Sequence, residues 1–312
     1  MDTGFDDIRP IIISIICILN IILNVFLIAV FIRHPPLRED RTTLFVLSLT
    51  LSDLANGCTT MPVSAAVCSY VTPNVRNMLR YLPKVNELCF VWFCLNSIHS
   101  LCWVTVCKMV AITTPLRYEQ VLTRTRCYLI IIGIWLSGAV YAAILCPWIV
   151  SWDLDTCLYY VRIETLPVQA VGLLLIGFIF GLVAPLAVIM YANIRIFVII
   201  VRTQRQIAAQ LNSIGGSVSF VGNIPSLTSR SIRSGRNVLI LCLTFLFLTI
   251  PVGVSMIAAI VQGRDYKWST AVKFSAVWSV YCNSFLNSLL YVFLFRNVRV
   301  KALKMIRDVC KW

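Results

Sequence analysis

The chain reads as an all-α membrane protein, a seven-transmembrane helix bundle closed by a short amphipathic C-terminal helix. Three observations predict this. Its 312 residues are 59% hydrophobic and only 13% charged, with a mean hydropathy of +0.85, more apolar surface than a soluble domain can hide. Seven windows are apolar enough to cross a bilayer, which takes ~20 residues; they cover about 11–33, 43–70, 85–109, 127–150, 167–201, 235–261 and 270–295. With the N-terminus outside, the inner segments hold 19 of the 27 Lys+Arg and 4 of the 13 Asp+Glu, against 8 and 8 in the outer segments. The net charge of +14 is thus a topology signal and an attraction to the anionic inner leaflet. A nucleic-acid partner is not expected, since that needs a soluble basic face.

The elements follow in order. The acidic first ten residues and the long first window do not fit a cleavable signal peptide. The first span carries Asn20 and Asn24 in an aliphatic run, so at least one of them should face other helices. The second contains Asp53 near mid-membrane. A carboxylate there must be paired, hydrated, protonated or bound to a cation. The third passes Glu87, Asn96, Ser97 and His99 and ends on Lys108; His99 is either a titrating switch or a satisfied bundle residue. Trp135 marks the fourth, followed by a short outer loop with Cys157. Pro185 in the fifth and Pro251 in the sixth should kink their helices and free carbonyls for neighbours. The serine-rich inner loop over 203–232 reads as a flexible linker with candidate phosphorylation sites. In the seventh, Asn283 and Asn287 are four apart and share a face. Residues 296–310 alternate apolar and basic positions as a membrane-surface helix does, and Cys310 is a candidate for lipidation, with an unmodified thiol the alternative. There is no N-glycosylation sequon and no Cys or His cluster for a metal, and no catalytic constellation or carboxylate pair suggests an enzyme.

This set of residues, one or more per span, resembles a rhodopsin-class (class A) G-protein-coupled receptor along essentially the whole chain. The matching positions are Asn24, the run Leu47–Asp53, Lys108 with Val110–Tyr118, Trp135, Pro185, Phe245 with Pro251, and Asn287 with Tyr291. The resemblance implies one receptor domain over 1–312, at the plasma membrane with the N-terminus extracellular, signalling through a heterotrimeric G protein. It implies a sodium ion held by Asp53, Ser97, Asn283 and Asn287, and hard cations do prefer such oxygen ligands. It implies an activation trio of Ile98, Pro185 and Phe245, and coupling through Lys108 and Leu116. No cofactor is expected beyond that allosteric sodium.

By this resemblance the chain would be an atypical member. The family's Asp-Arg-Tyr is Cys107-Lys108-Met109, so lysine keeps the charge without arginine's planar fork, and no acid at 107 restrains it. Cys-Trp-x-Pro is Leu248-Thr249-Ile250-Pro251, and Ser288 replaces the proline of Asn-Pro-x-x-Tyr, which should straighten the seventh span. Raised basal activity or weak coupling is the expectation. The family's outer disulfide would join Cys157 to the third span, where its usual partner is Pro83; Cys89 and Cys68 are the alternatives, or Cys157 is free.

By the same resemblance the ligand pocket is lined by Glu87, Phe90, Val91, Cys94, Thr249, Val252, Gly253, Met256, Trp278 and Tyr281. It is mostly apolar, as small-molecule sites are, so a small or lipidic ligand is expected. Phe90 stands where amine receptors carry an Asp, and Tyr281 where opsins carry the retinal lysine, so neither an ordinary amine site nor a light receptor is expected. Glu87, one turn outward of Phe90, either meets a cation or faces lipid or loop. Other functions are a non-signalling or heterodimerising seven-span receptor, or a transporter; the latter needs a polar path and usually a fold repeat, and neither is visible.

Overall fold

The computed structural model describes residues 3–68, 82–153, 158–161, 168–213, 236–237, 239–251, 253–254 and 270–310. The first span is one helix, Thr3–Arg33, starting well before residue 11 and carrying Pro10 inside it. Its Ile11, Ile15, Ile18, Ile22 and Val25 point outward, an apolar face suited to lipid, while Asn20 and Asn24 point inward.

After a short inner-loop helix, Pro35–Glu39, the second span begins at Arg41 with Asp40 as its cap; the Asp40 carboxylate accepts from the Thr42 N–H. This span is two helices, Arg41–Cys58 and Thr60–Cys68. The break falls where Pro62 has no N–H for the Cys58 carbonyl. Around it the Thr59 hydroxyl donates to the Ala55 carbonyl (2.6 Å) and the Thr60 hydroxyl to that of Asn56 (2.9 Å).

The third span, Leu82–Thr113, is a continuous helix that runs past Lys108; a turn and the short helix Tyr118–Val121 form the second inner loop. The fourth, Arg124–Ile149, passes directly into strand β1 (Val150–Asp153), antiparallel to β2 (Leu158–Val161) with Val150 opposite Val161. The short outer loop is therefore in part a hairpin, which its sequence did not suggest.

The fifth span runs Val168–Phe178, a π-helical turn Ile179–Val183, then Ala184–Ser213. The irregular turn sits immediately before Pro185, whose ring displaces the carbonyl one turn back, at Gly181. Gly181 also permits close approach to the third span, since a Cβ there would lie 2.8 Å from Leu95. Of the sixth span, the helix Leu239–Pro251 is described. The seventh, Thr270–Leu294, is one helix through Ser288, and the chain then bends by 94° into the surface helix Arg296–Val309.

Two apolar clusters hold these helices together. The inner one packs Phe31, Phe45, Leu101, Val104, Leu241, Phe245 and Tyr291, with Val298, Ala302 and Met305 of the surface helix against it. The outer one gathers Ile13, Ile16, Cys17, Met61 and Tyr281, with Phe90 and Trp278 packed on it. Between them lies a layer of buried polar side chains.

Candidate functional site

That polar layer is built around Asp53, which is 1% exposed. Asn287 donates to its Oδ2 (3.1 Å), and Asn20 donates to its backbone carbonyl (2.7 Å). Asn24 donates to the Asn20 carbonyl (2.8 Å) and side-chain oxygen (2.6 Å), and accepts from the Ser288 hydroxyl (2.6 Å). Asn56 donates to Ser284 Oγ (3.3 Å). Spans one, two and seven are thus cross-linked at one depth by uncharged amides and hydroxyls around a single carboxylate. Gly57 makes room for this, because a Cβ would collide with the Asn20 amide. Nearby, Trp135 donates to Ser48 (3.1 Å), which shares a hydrogen bond with Ser100 (3.0 Å) and so ties the fourth span to the second and third.

One oxygen of this layer is unspent: Asn283 Oδ1 is buried without a hydrogen-bond partner. The Ser97 hydroxyl faces the Asp53 carboxylate, and Asn283 lies one turn outward of Asn287 on the same face. One carboxylate with neutral oxygens matches the donor set of a hard monovalent cation, and orphaned buried oxygens are what such an ion would satisfy. Among the described residues no group of three or more His, Cys, Asp or Glu could hold a metal by other means.

Outward of this layer, Tyr281 is fully buried; its hydroxyl shares a 2.8 Å hydrogen bond with Ser64, which accepts from Asn86 (3.3 Å). Phe90 meets the Tyr281 ring edge-on at 5.7 Å. Glu87 is 1% exposed, so it belongs to the bundle interior, and the lipid-facing alternative falls. Val91, Cys94, Gly253 and Trp278 are half-buried. The Thr249 hydroxyl is turned onto its own helix, donating to the Phe245 carbonyl (2.7 Å). Val252 and Met256 lie outside the described residues, as do Cys157, the Cys68 side chain and most of the serine-rich loop. The Cys89 thiol is free, which removes one of the two disulfide alternatives. His99 is satisfied within its own helix at the Leu95 carbonyl (2.8 Å).

At the inner end, Pro185 and Phe245 are buried and Ile98 packs on the same inner cluster. Pro251 is half-buried, and Tyr291 stacks on Phe295 with centroids 4.2 Å apart. Leu116 stands out at 92% exposed. Cys107, beside Lys108, is fully buried, and an acid from another segment meets that cation instead. Its Nζ lies 3.3 Å from Asp40 Oδ2. Tyr118 donates to Asp40 Oδ1 (3.2 Å) and shares a hydrogen bond with Thr42 (3.3 Å). Burial is the largest single influence and would raise the Asp40 carboxyl. The Lys108 charge and hydrogen bonds from Thr42, Lys108 and Tyr118 together outweigh it and hold the carboxyl below the ordinary carboxylate value. Burial and the Asp40 charge push the Tyr118 phenol up. Beside them Arg41 pairs with Glu119 at 3.1 Å. Sequence reasoning missed Asp40 and Ser64. Asp40 had one visible signal, its place as an acid just before a helix.

A bundle of apolar helices around one mid-membrane carboxylate, with a cation at the inner end of the third, defines a class. The chain belongs to the rhodopsin family of seven-transmembrane receptors: the family described as "7 transmembrane receptor (rhodopsin family)" matches residues 23–291. It is a multi-pass membrane protein of a receptor family and not an enzyme. Among curated proteins it is similar to 5-hydroxytryptamine receptor 2 of Aplysia californica, 24% identical over 145 residues (45% of this chain, 32% of that one). It is also similar to octopamine receptor 1 of Lymnaea stagnalis, 26% identical over 148 residues (47% and 22%). A third is tyramine receptor 1 of Locusta migratoria, 29% identical over 140 residues (45% and 28%). The matched stretch spans a third or less of each relative's length.

Proposed function

We propose that this chain is a ligand-triggered receptor that signals to heterotrimeric G proteins from the plasma membrane, N-terminus extracellular, without making or breaking a covalent bond. The observation that carries this is the Asp53–Asn287 hydrogen bond (3.1 Å). It lies at the centre of a network joining spans one, two and seven, beneath the Phe90–Tyr281 aromatic pair and above the Phe245 cluster. Side chains in such a layer have more than one way to satisfy one another, and a ligand acts through its differential affinity for the two arrangements. The ligand in this reading is a small molecule, with cationic amines the first to screen. The three relatives are named as amine receptors, and Glu87 is the buried acid nearest the aromatic pair's end of the third span.

Sodium in the Asp53, Ser97, Asn283 and Asn287 set would stabilise the resting arrangement by neutralising the buried carboxylate and satisfying Asn283 Oδ1, which otherwise lacks a partner. Cys310, exposed at the end of the surface helix, is the residue for a lipid anchor. A screen of small amines and lipids, in cells reporting several G-protein subtypes, tests the receptor reading. A dose-dependent response in at least one subtype is expected, weakened by Glu87→Gln for a cationic ligand. Surface-expressed receptor silent to every ligand and subtype would instead favour a non-signalling, heterodimerising role.

A further inference from the structure

We propose that Asp40, in the first inner loop, is the acid that latches Lys108 and holds the receptor in its resting state. This rests on the signalling reading above and names its regulation. The usual neighbour of the third-span cation offers nothing here, since Cys107 is an uncharged thiol sealed in the inner apolar cluster. Asp40 supplies the missing charge from another segment, 68 residues away in sequence.

Its carboxylate is held ready for the task. Oδ1 is fixed by the Thr42 N–H at the start of the second span (3.1 Å) and by the Tyr118 hydroxyl from the second inner loop (3.2 Å). That leaves Oδ2 aimed at Lys108 Nζ, 3.3 Å away. Of the other two acids in these loops, Glu119 is committed to Arg41 and Glu39 is exposed. One carboxylate therefore ties together the inner end of the third span and both neighbouring loops.

The consequence for docking is visible in exposure. The Lys108 side chain is 15% exposed and that of Asp40 43%. Leu116, a few residues on, is 92% exposed. The cation expected to meet a G protein is tucked away, while the acid that holds it faces the cytoplasm. Lysine is a flexible point charge and needs one broken contact to swing out. Raised basal activity, expected from Cys107 alone, is thereby replaced by restraint from a displaced acid.

The test uses the full chain and two readouts. Asn at position 40 caps a helix as well as Asp does, so Asp40→Asn removes the charge and keeps the second span's start. Basal G-protein activation per receptor at the surface should rise about five- to tenfold, the lower part of the span of such couplings. In parallel, thermal melting of purified receptor is measured for Asp40→Asn, Lys108→Gln and the double variant. The double variant should melt no lower than the worse single, because both remove the same pair. Additive melting losses would overturn the latch whatever the signalling result. Non-additive losses with unchanged basal output, in a receptor that answers a ligand, would also overturn it. Absence of any G-protein response in every form would sink the signalling reading itself, and the latch's role with it.

Discussion

Asn24→Ala is the sharpest test of the polar layer. Asn24 is fully buried. Its amide donates to the Asn20 carbonyl, the Asn20 side chain and, at 3.4 Å, the Ser284 carbonyl, while its oxygen accepts from Ser288 at 2.6 Å. Alanine removes all four contacts and orphans the Ser288 hydroxyl and the Asn20 oxygen. Hydrogen bonds inside membrane bundles average ~0.6 kcal/mol, and an unsatisfied buried group costs ~1–3 kcal/mol. Partial re-pairing of Ser288 within its helix offsets some of this, so a net loss of about 2 kcal/mol is expected. For a chain of this size that lowers the melting temperature by roughly 4 °C. The assay is thermal unfolding of purified receptor in detergent, with Ile22→Ala, a lipid-facing change, as the control. Melting equal to the control would refute the claim that these amides join spans one and seven.

Three further outcomes follow. Sodium should raise the melting temperature of the wild type in a saturable way and leave Asp53→Asn unmoved, while potassium at equal concentration moves neither form; equal sodium response in both forms removes the cation site. Asp40 has its folded value lowered, so its contribution is complete above the ordinary carboxylate value and is lost as pH falls through the lowered one. The melting gap between wild type and Asp40→Asn should therefore hold at neutral pH and close only in strong acid; a gap that closes near neutrality contradicts the pairing. Thioester labelling of receptor from cells should mark the wild type and be lost in Cys310→Ser, and equal labelling of both would assign the lipid elsewhere or nowhere.

The helices were legible because lipid imposes one rule, long apolar runs, and because charge sorts the loops. The mid-membrane layer was legible for a related reason: Asp53, Asn24 and Asn287 are costly in lipid, so each had to find another. What escaped was pairing between distant polar residues whose types are ordinary. Asp40 looks like any loop acid until the fold places it beside Lys108. Looking only at position 107 led to the expectation of an unrestrained cation. Ser64 and Asn86 likewise gain meaning only through Tyr281. The break at Cys58 could have been anticipated from Thr59-Thr60-Met61-Pro62, since a proline four residues past a carbonyl removes its donor. The hairpin of the outer loop could not, because β1 continues the apolar run of the fourth span without a stop signal.

The most direct measurement is nucleotide exchange on purified heterotrimeric G proteins of several subtypes, catalysed by the purified receptor in lipid vesicles. Low exchange by the resting wild type, with clear acceleration by Asp40→Asn in at least one subtype, is the predicted result. Folded receptor that leaves exchange at the level of empty vesicles in both forms, for every subtype and with every ligand tried, would contradict it.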